Sequence, residues 1–503
     1  MKTKNKAYFP HIDALRAFAV VSVIVFHLNE NYLPGGFVGV DVFFVISGFL
    51  ITGQILNTLK KGQFTFADFY SRRIKRIAPA SLIVILITIL LSNIFFLPEH
   101  NINVGWSAIW SSLSVPNIYF WKFTDTSYFA DSNFTQPLLH YWSLGVEEQF
   151  YLIWPLVLFF IFPLGKPKFI IAFILACIIL STALAEMLIK QHHSLVYYTL
   201  PFRAGELLVG SLLSALLHFR VIKKSLNSDM FFLASIVLLI LSCFYITSTD
   251  IFPGLLSLMP TLSAALFIWS GFNQSSLLVS FVSQKPVLFI GKVSFSAYLV
   301  HWPIFSFYKY GYGSPSVFAE ICLLVCVFIL AWLNWKFVEE KYRYTALELR
   351  PLLNKQLFIP ILILVSIALF QILSDGYGAR VFSNYYKESL KSVSTEVLRP
   401  SSYDYVCQVN EVSQSTLDNT LCILGGNDSS TETLLWGDSN AAHYVGILKK
   451  IALIQGWSFR NVAHSACPPV FFNLSSYVSE GRFEECQASI KFVESKLNSV
   501  SYT

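Results

Sequence analysis

Charge is what this chain has least of. Only 13% of its 503 residues are Asp, Glu, Lys or Arg, against 54% hydrophobic, and the mean hydropathy is +0.57. A soluble domain carries about a quarter charged residues, so this scarcity excludes an ordinary soluble protein. The basic excess of +6 sits in short loops between apolar runs and reads as membrane sidedness, not as a nucleic-acid surface. A second absence is a small-residue cleavage site after the basic N-terminus "MKTKNKAYFPHID". The apolar run from Ile12 is therefore expected to stay as a first helix and not to be removed as a signal peptide. Two further absences concern the end of the chain. No run after Ser374 is long enough to cross a bilayer, and residues 440–503 contain no Asp.

What is present fits a lipid environment. The 46 Phe, 24 Tyr and 11 Trp residues suit a lipid-facing surface with aromatic belts. At roughly 20 apolar residues per span, the sequence holds about eleven candidates, the third near residues 79–97 and the last near 356–373. The predicted fold class is an all-α polytopic membrane domain followed by an α/β extracytoplasmic domain. Lys2, Lys4, Lys6, the Lys60–Arg76 cluster, Lys166, Lys168, Arg220, Lys223, Lys224 and Lys341–Lys355 fall in alternate loops. The positive-inside rule then puts the N-terminus in the cytoplasm. An odd number of spans puts everything after Ser374 on the far side. Cys407, Cys422, Cys467 and Cys486 lie in that tail. An oxidising compartment suggests two disulfides, and pairing sequence neighbours is the simplest of three connectivities.

The spans contain polar residues that lipid does not explain. Arg16 and His27 are eleven apart in the first span, about three helical turns and about 16 Å of rise, so they share one face at two depths. Intramembrane ionisable groups are functional candidates. Snorkelling for Arg16 and interfacial placement for His27 are the plain alternatives. The segment "FYSRRIKRIAP" sets Arg73 and Arg76 three apart, as membrane anchors or as a forked clamp for phosphates. "HYWSLGVEEQFYLIWP" carries His140, Glu147 and Glu148. A carboxylate reaching His27 would fix its tautomer as a base–orienter pair does. His301 in "SFSAYLVHWPI" and Glu339–Glu340 in "FVEEKYR" read singly as packing or interface anchoring.

In the tail, "TLLWGDSNAAHYVGILKKIA" reads as a buried strand, a glycine turn and a helix. Ser439 is then presented at a strand-to-helix turn, beside backbone N–H groups able to stabilise an oxyanion. An N-capping Asp-Ser before an ordinary helix is the alternative.

Together "IDALRAFAVVSVIVFH", "GGFVGVDVFFVISGFLIT", "FYSRRIKRIAP", "HYWSLGVEEQFYLIWP", "SFSAYLVHWPI" and "FVEEKYR" resemble, in order, the membrane acyltransferase 3 family, whose members O-acylate surface carbohydrates. The tail resembles the SGNH hydrolase-like domain fused to some members. The resemblance implies an acyltransferase 3 membrane domain at 1–345, an added transmembrane helix at 346–375, a linker at 376–430 and an SGNH-like domain at 431–503. It implies that His27 is catalytic with Glu147 or Glu148 as the essential acid. Arg16, Arg73 and Arg76 would engage acetyl-coenzyme A as cytoplasmic donor, and Ser439 would carry or transfer the acyl group last. The implied setting is a bacterial inner membrane. The expected partners are the donor, membrane lipid and an extracytoplasmic glycan, with no metal and no nucleic acid. Lipopolysaccharide O-antigen or lipooligosaccharide is the expected acceptor, with peptidoglycan as the alternative and transport without ester formation as the rival function. An SGNH domain also needs a downstream Asp and His, and residues 440–503 offer no such block; the expectation is an incomplete catalytic tail. His443 and His464 do not match that family's base position.

Overall fold

The computed structural model describes residues 9–123, 133–222, 228–248, 250–272, 276–378, 388, 407–426, 433–472, 474, 477–478 and 482–497. It divides into two units, residues 1–380 and 381–503. The N-terminal lysines, Lys223, Lys224 and much of the expected 376–430 linker lie outside the described residues.

The first unit is helical. Its helices are α1 (Pro10–Leu28), α2 (Gly39–Lys60), α3 (Phe66–Phe95), α4 (Pro98–Ser112), α5 (Pro116–Phe123), α6 (Tyr141–Ile161), α7 (Pro167–Leu188), α8 (His193–Tyr198) and α9 (Leu200–His218). They continue with α10 (Ser228–Tyr245), α11 (Leu258–Ser270), α12 (Leu277–Val282), α13 (Lys285–Tyr312), α14 (Val317–Asn334), α15 (Glu340–Arg343), α16 (Leu349–Leu353) and α17 (Ile359–Leu373). Among the described residues, nine helical stretches are long and apolar enough to cross a membrane, and two shorter apolar ones are Asp229–Tyr245 and Gly254–Ser270. The nine fall at nine of the eleven expected spans, and the two shorter helices fall at the other two, with one further difference of consequence. The third begins at Phe66, thirteen residues before the expected 79, so the Arg72–Arg76 cluster rides on the spanning helix itself. Thr65 starts it by accepting the Asp68 N–H, the role of an N-cap. Pro10, Pro98 and Pro167 open their helices where a missing N–H costs nothing.

Water does not press apolar helices together inside lipid, so close packing and paired polar groups must hold them. The α2–α9 crossing shows both. Gly48 lies on the Leu207 backbone and Gly210 on the Val45 backbone, each too close for a Cβ. Arg203, fully buried, pairs with Asp41 at 3.1 Å and Glu206 at 3.2 Å, inside a ring of Phe44, Trp142, Tyr197 and Phe252. The α1–α13 crossing depends on Gly291, which rests on the Asp13 backbone. Ile87, Leu90 and Ile94 of α3 and Ile179 and Leu180 of α7 are exposed, as a lipid-facing surface requires.

The second unit is a small α/β structure. Strand β4 (Ser458–His464) is central. Strand β3 (Thr433–Gly437) runs parallel along one edge; β2 (Ile423–Gly425), antiparallel, and β1 (Gln408–Val409), parallel, pair with its two halves. Two of these strands thus come from within the 376–430 segment. Helices α18 (Gln414–Asp418), α19 (Ser439–Gln455) and α20 (Phe483–Leu497) complete it. The disulfides are Cys407–Cys422 and Cys467–Cys486, the sequence-neighbour pairing.

Candidate active site

Two chambers meet at the centre of the first unit. One, about 90 Å³, is lined by Arg16 of α1, Arg73 and Arg76 of α3, Glu147 and Tyr151 of α6 and apolar side chains of α2. The other, about 1010 Å³, holds His27 at the end of α1 with His140, Trp302, Lys309 and Glu320. Val40 and Tyr298 line both. The helical column therefore does what its periodicity predicts: Arg16 and His27 face inward at different depths, one in each chamber.

Each arginine is held by its surroundings. Arg16 pairs with Asp13, one turn before it, at 3.2 Å. Arg73 donates Nη2 to Gln54 Oε1 at 3.1 Å and lies over the Phe69 and Tyr151 rings. Its Nε is buried with no hydrogen-bond partner among the described residues. A buried donor without an acceptor costs about 1–3 kcal/mol, which an entering anion would relieve. The wall between the arginines and Tyr298 is apolar, with Phe43, Phe44, Leu50 and Phe295. The lining, basic groups beside an apolar wall, suits an anionic group joined to a weakly polar chain.

Glu147 does not reach His27. It accepts from Ser47 at 3.1 Å and from the Tyr151 hydroxyl, and so stays in the arginine chamber. Glu148 turns to a separate cavity of about 340 Å³ with Ser114, Tyr141 and Arg73. Adjacent residues on a helix point about 100° apart, so the pair divides between cavities. In place of a carboxylate, His27 Nδ1 meets His301 Nε2 at 3.0 Å. Lys309 Nζ donates to the His27 carbonyl at 2.9 Å, and the Trp302 ring lies 4.7 Å from the His27 ring. Sequence reasoning left His301 as a packing or anchoring residue and passed over Tyr298. The only signal was a histidine inside an apolar helix, in "SFSAYLVHWPI".

Of the two plain readings of Glu339, packing and interface anchoring, the structure favours burial. A π turn over Trp335–Glu339 inserts one residue into the helix and turns Glu339 inward, where it is buried and accepts from Ser296 at 3.2 Å.

In the second unit, Ser439 opens α19 directly after β3, as predicted, and Asp438 is the N-cap, accepting the Asn440 N–H at 2.8 Å. The β3–β4 register pairs Gly437 with Ala463, which brings His464 to the same strand ends as Ser439. Ligand sites of parallel sheets lie at such carboxyl ends. His464 is buried, with Nε2 3.4 Å from Arg482, and burial lowers its pKa below the usual histidine value. Among the described residues, neither His443 nor His464 is hydrogen-bonded to Ser439.

Residues 9–335 match the family model described as an acyltransferase domain, and residues 406–501 match the SGNH domain fused to such domains. The chain is 34% identical over 356 residues to the O-acetyltransferase OatA of Staphylococcus aureus, covering 68% of this chain and 58% of that protein. It is 33% identical over 352 residues to the peptidoglycan O-acetyltransferase OatA of Listeria monocytogenes, covering 67% of this chain and 56% of that one. The match thus spans less than two thirds of these relatives' length. No solved structure matches.

Proposed function

This chain belongs to the acyltransferase domain family, with a fused SGNH domain, and from that premise we propose that it is a membrane O-acetyltransferase acting on a cell-surface glycan. The observation that carries this reading is the pair of chambers meeting at Tyr298 and Val40, arginines in one and His27 in the other. The basic loops support an N-terminus in the cytoplasm, with the arginine chamber towards that side. Acetyl-coenzyme A enters there. Arg16, Arg73 and Arg76 take its phosphates, and the acetyl-bearing arm runs along the apolar wall towards Tyr298.

At His27 the acceptor hydroxyl gives up its proton to the imidazole, its oxygen attacks the thioester carbonyl, and the sulfur leaves with the proton returned by the imidazolium. Ester and free thiol are the products. That ester is on a carrier hydroxyl: Ser439 Oγ attacks it and frees the carrier alcohol, and the glycan hydroxyl then takes the acetyl group from Ser439 and restores the serine. The name of the Listeria relative favours peptidoglycan as the acceptor over the lipopolysaccharide expected from sequence.

The test is His27→Ala in cells that depend on this gene for acetylation. Mass spectrometry of peptidoglycan fragments and of lipopolysaccharide should lose the acetyl increment in one of them, at unchanged protein level and unchanged glycan export. Full acetylation in the variant would refute the reading, and loss of glycan export with it would favour transport.

A further inference from the structure

We propose that His301 is a positioning residue that sets the tautomer of His27, and that the backbone carbonyl of Tyr298 sets His301. The inference rests on the reading of His27 as the transfer base, and two hydrogen bonds in series carry it. His301 Nδ1 lies 2.6 Å from the Tyr298 carbonyl oxygen. A carbonyl only accepts, so this nitrogen carries the hydrogen, and a neutral ring then keeps its lone pair at Nε2. That Nε2 is 3.0 Å from His27 Nδ1. His27 must donate there, because the other tautomer would bring two lone pairs face to face. The free lone pair of His27 is therefore at Nε2, on a residue that lines the larger chamber.

The neighbours keep this arrangement in place. The His27 and His301 rings stack 5.2 Å apart at 19°. His140 packs edge-on against His301 at 5.4 Å, and its own Nε2 hydrogen goes to the Leu299 carbonyl at 3.0 Å, so it does not compete for His301 Nε2. The Lys309 ammonium is engaged with the His27 backbone. A carboxylate orienter would place a negative charge against His27; an imidazole orients it by hydrogen bonding alone. The unproductive tautomer is removed without adding an ion to a dry interior, where charge is costly. Tyr298 thus acts twice, its side chain between the chambers and its carbonyl at the head of the relay.

The experiment uses the full chain in proteoliposomes with acetyl-coenzyme A as donor, soluble peptidoglycan fragments as hydroxyl acceptor and thiol release as the signal. His301→Phe should lower kcat about 100-fold while KM for acetyl-coenzyme A stays within about twofold, as expected for an orienting partner of a catalytic histidine. His301→Gln, whose side-chain oxygen can accept from His27 Nδ1, should recover about tenfold of that loss. Nitrogen NMR of the wild-type chain with labelled imidazoles needs no turnover. It should show His27 protonated at Nδ1 and bare at Nε2, the signals being identified by their loss in His27→Asn. A His27 protonated at Nε2, or a His301→Phe variant of undiminished kcat, would overturn the proposal. Absence of thiol release by the wild-type chain would instead count against the proposed function, and the nitrogen spectrum would still decide the tautomer.

Discussion

Arg73 shows how a residue read first as an anchor takes on another role. Its neighbours Arg72 and Lys75 suit the headgroup boundary, yet Arg73 turns inward to Gln54 and keeps a buried Nε without an acceptor. A charge-assisted hydrogen bond is worth about 1.5–3 kcal/mol. Arg73→Ala should therefore raise KM for acetyl-coenzyme A about tenfold or more with a smaller change in kcat, read from steady-state thiol release. The side chains that sequence placed well are those whose role follows from local periodicity: Arg16 and His27 on one face, Arg73 and Arg76 one turn apart. Those it did not place depend on partners distant in the chain. His301 is 274 residues from His27, and Ser47 is 100 from Glu147. No spacing rule reaches so far, and the expected carboxylate beside His27 gave way to an imidazole for that reason.

At the level of elements, the apolar runs announced the spans well because lipid demands long, uncharged helices. What they left out is amphipathic or irregular. Helix α4, "PEHNINVGWSAIWSS", is too polar to be read as a span, and the π turn before α15 leaves no mark in hydropathy. The contact of α1 with α13 carries the relay, and it has a simple test. Gly291 and Gly311 lie on the same helix, but a Cβ at Gly291 would strike the Asp13 backbone while one at Gly311 meets nothing. Gly291→Ala should destabilise the chain by about 1–3 kcal/mol through overpacking and should separate His27 from His301. Gly311→Ala should be neutral. Thermal unfolding of the two variants in detergent, with activity before heating, checks both.

For the molecule as a whole, the division into a membrane part and a polar tail was plain in composition, and the disulfide pairing is the simplest of the three that the tail cysteines allow. The start of the second unit was less plain, since β1 and β2 are only two and three residues long, too short to show alternation. The proposed function assigns one stage of transfer to each unit, and the two can be separated. Ser439→Ala should abolish acetylation of the glycan in cells, yet leave the first-turnover burst of thiol release by the reconstituted chain within about twofold, because the residue belongs to the second unit and to the later transfer. Loss of both signals would place Ser439 in the first stage.

The wall shared by the two chambers has a cost that catalysis does not mention. A bilayer insulates the cell with about 30 Å of hydrocarbon; where an enzyme opens a recess from each side, insulation falls to the side chains left between them. Here those are Tyr298 and Val40. On the proposed reading the protein would have to seal against proton leakage at the spot where an acetyl group passes, and a bulky phenol pinned by Ser143 and the His140 carbonyl suits both duties.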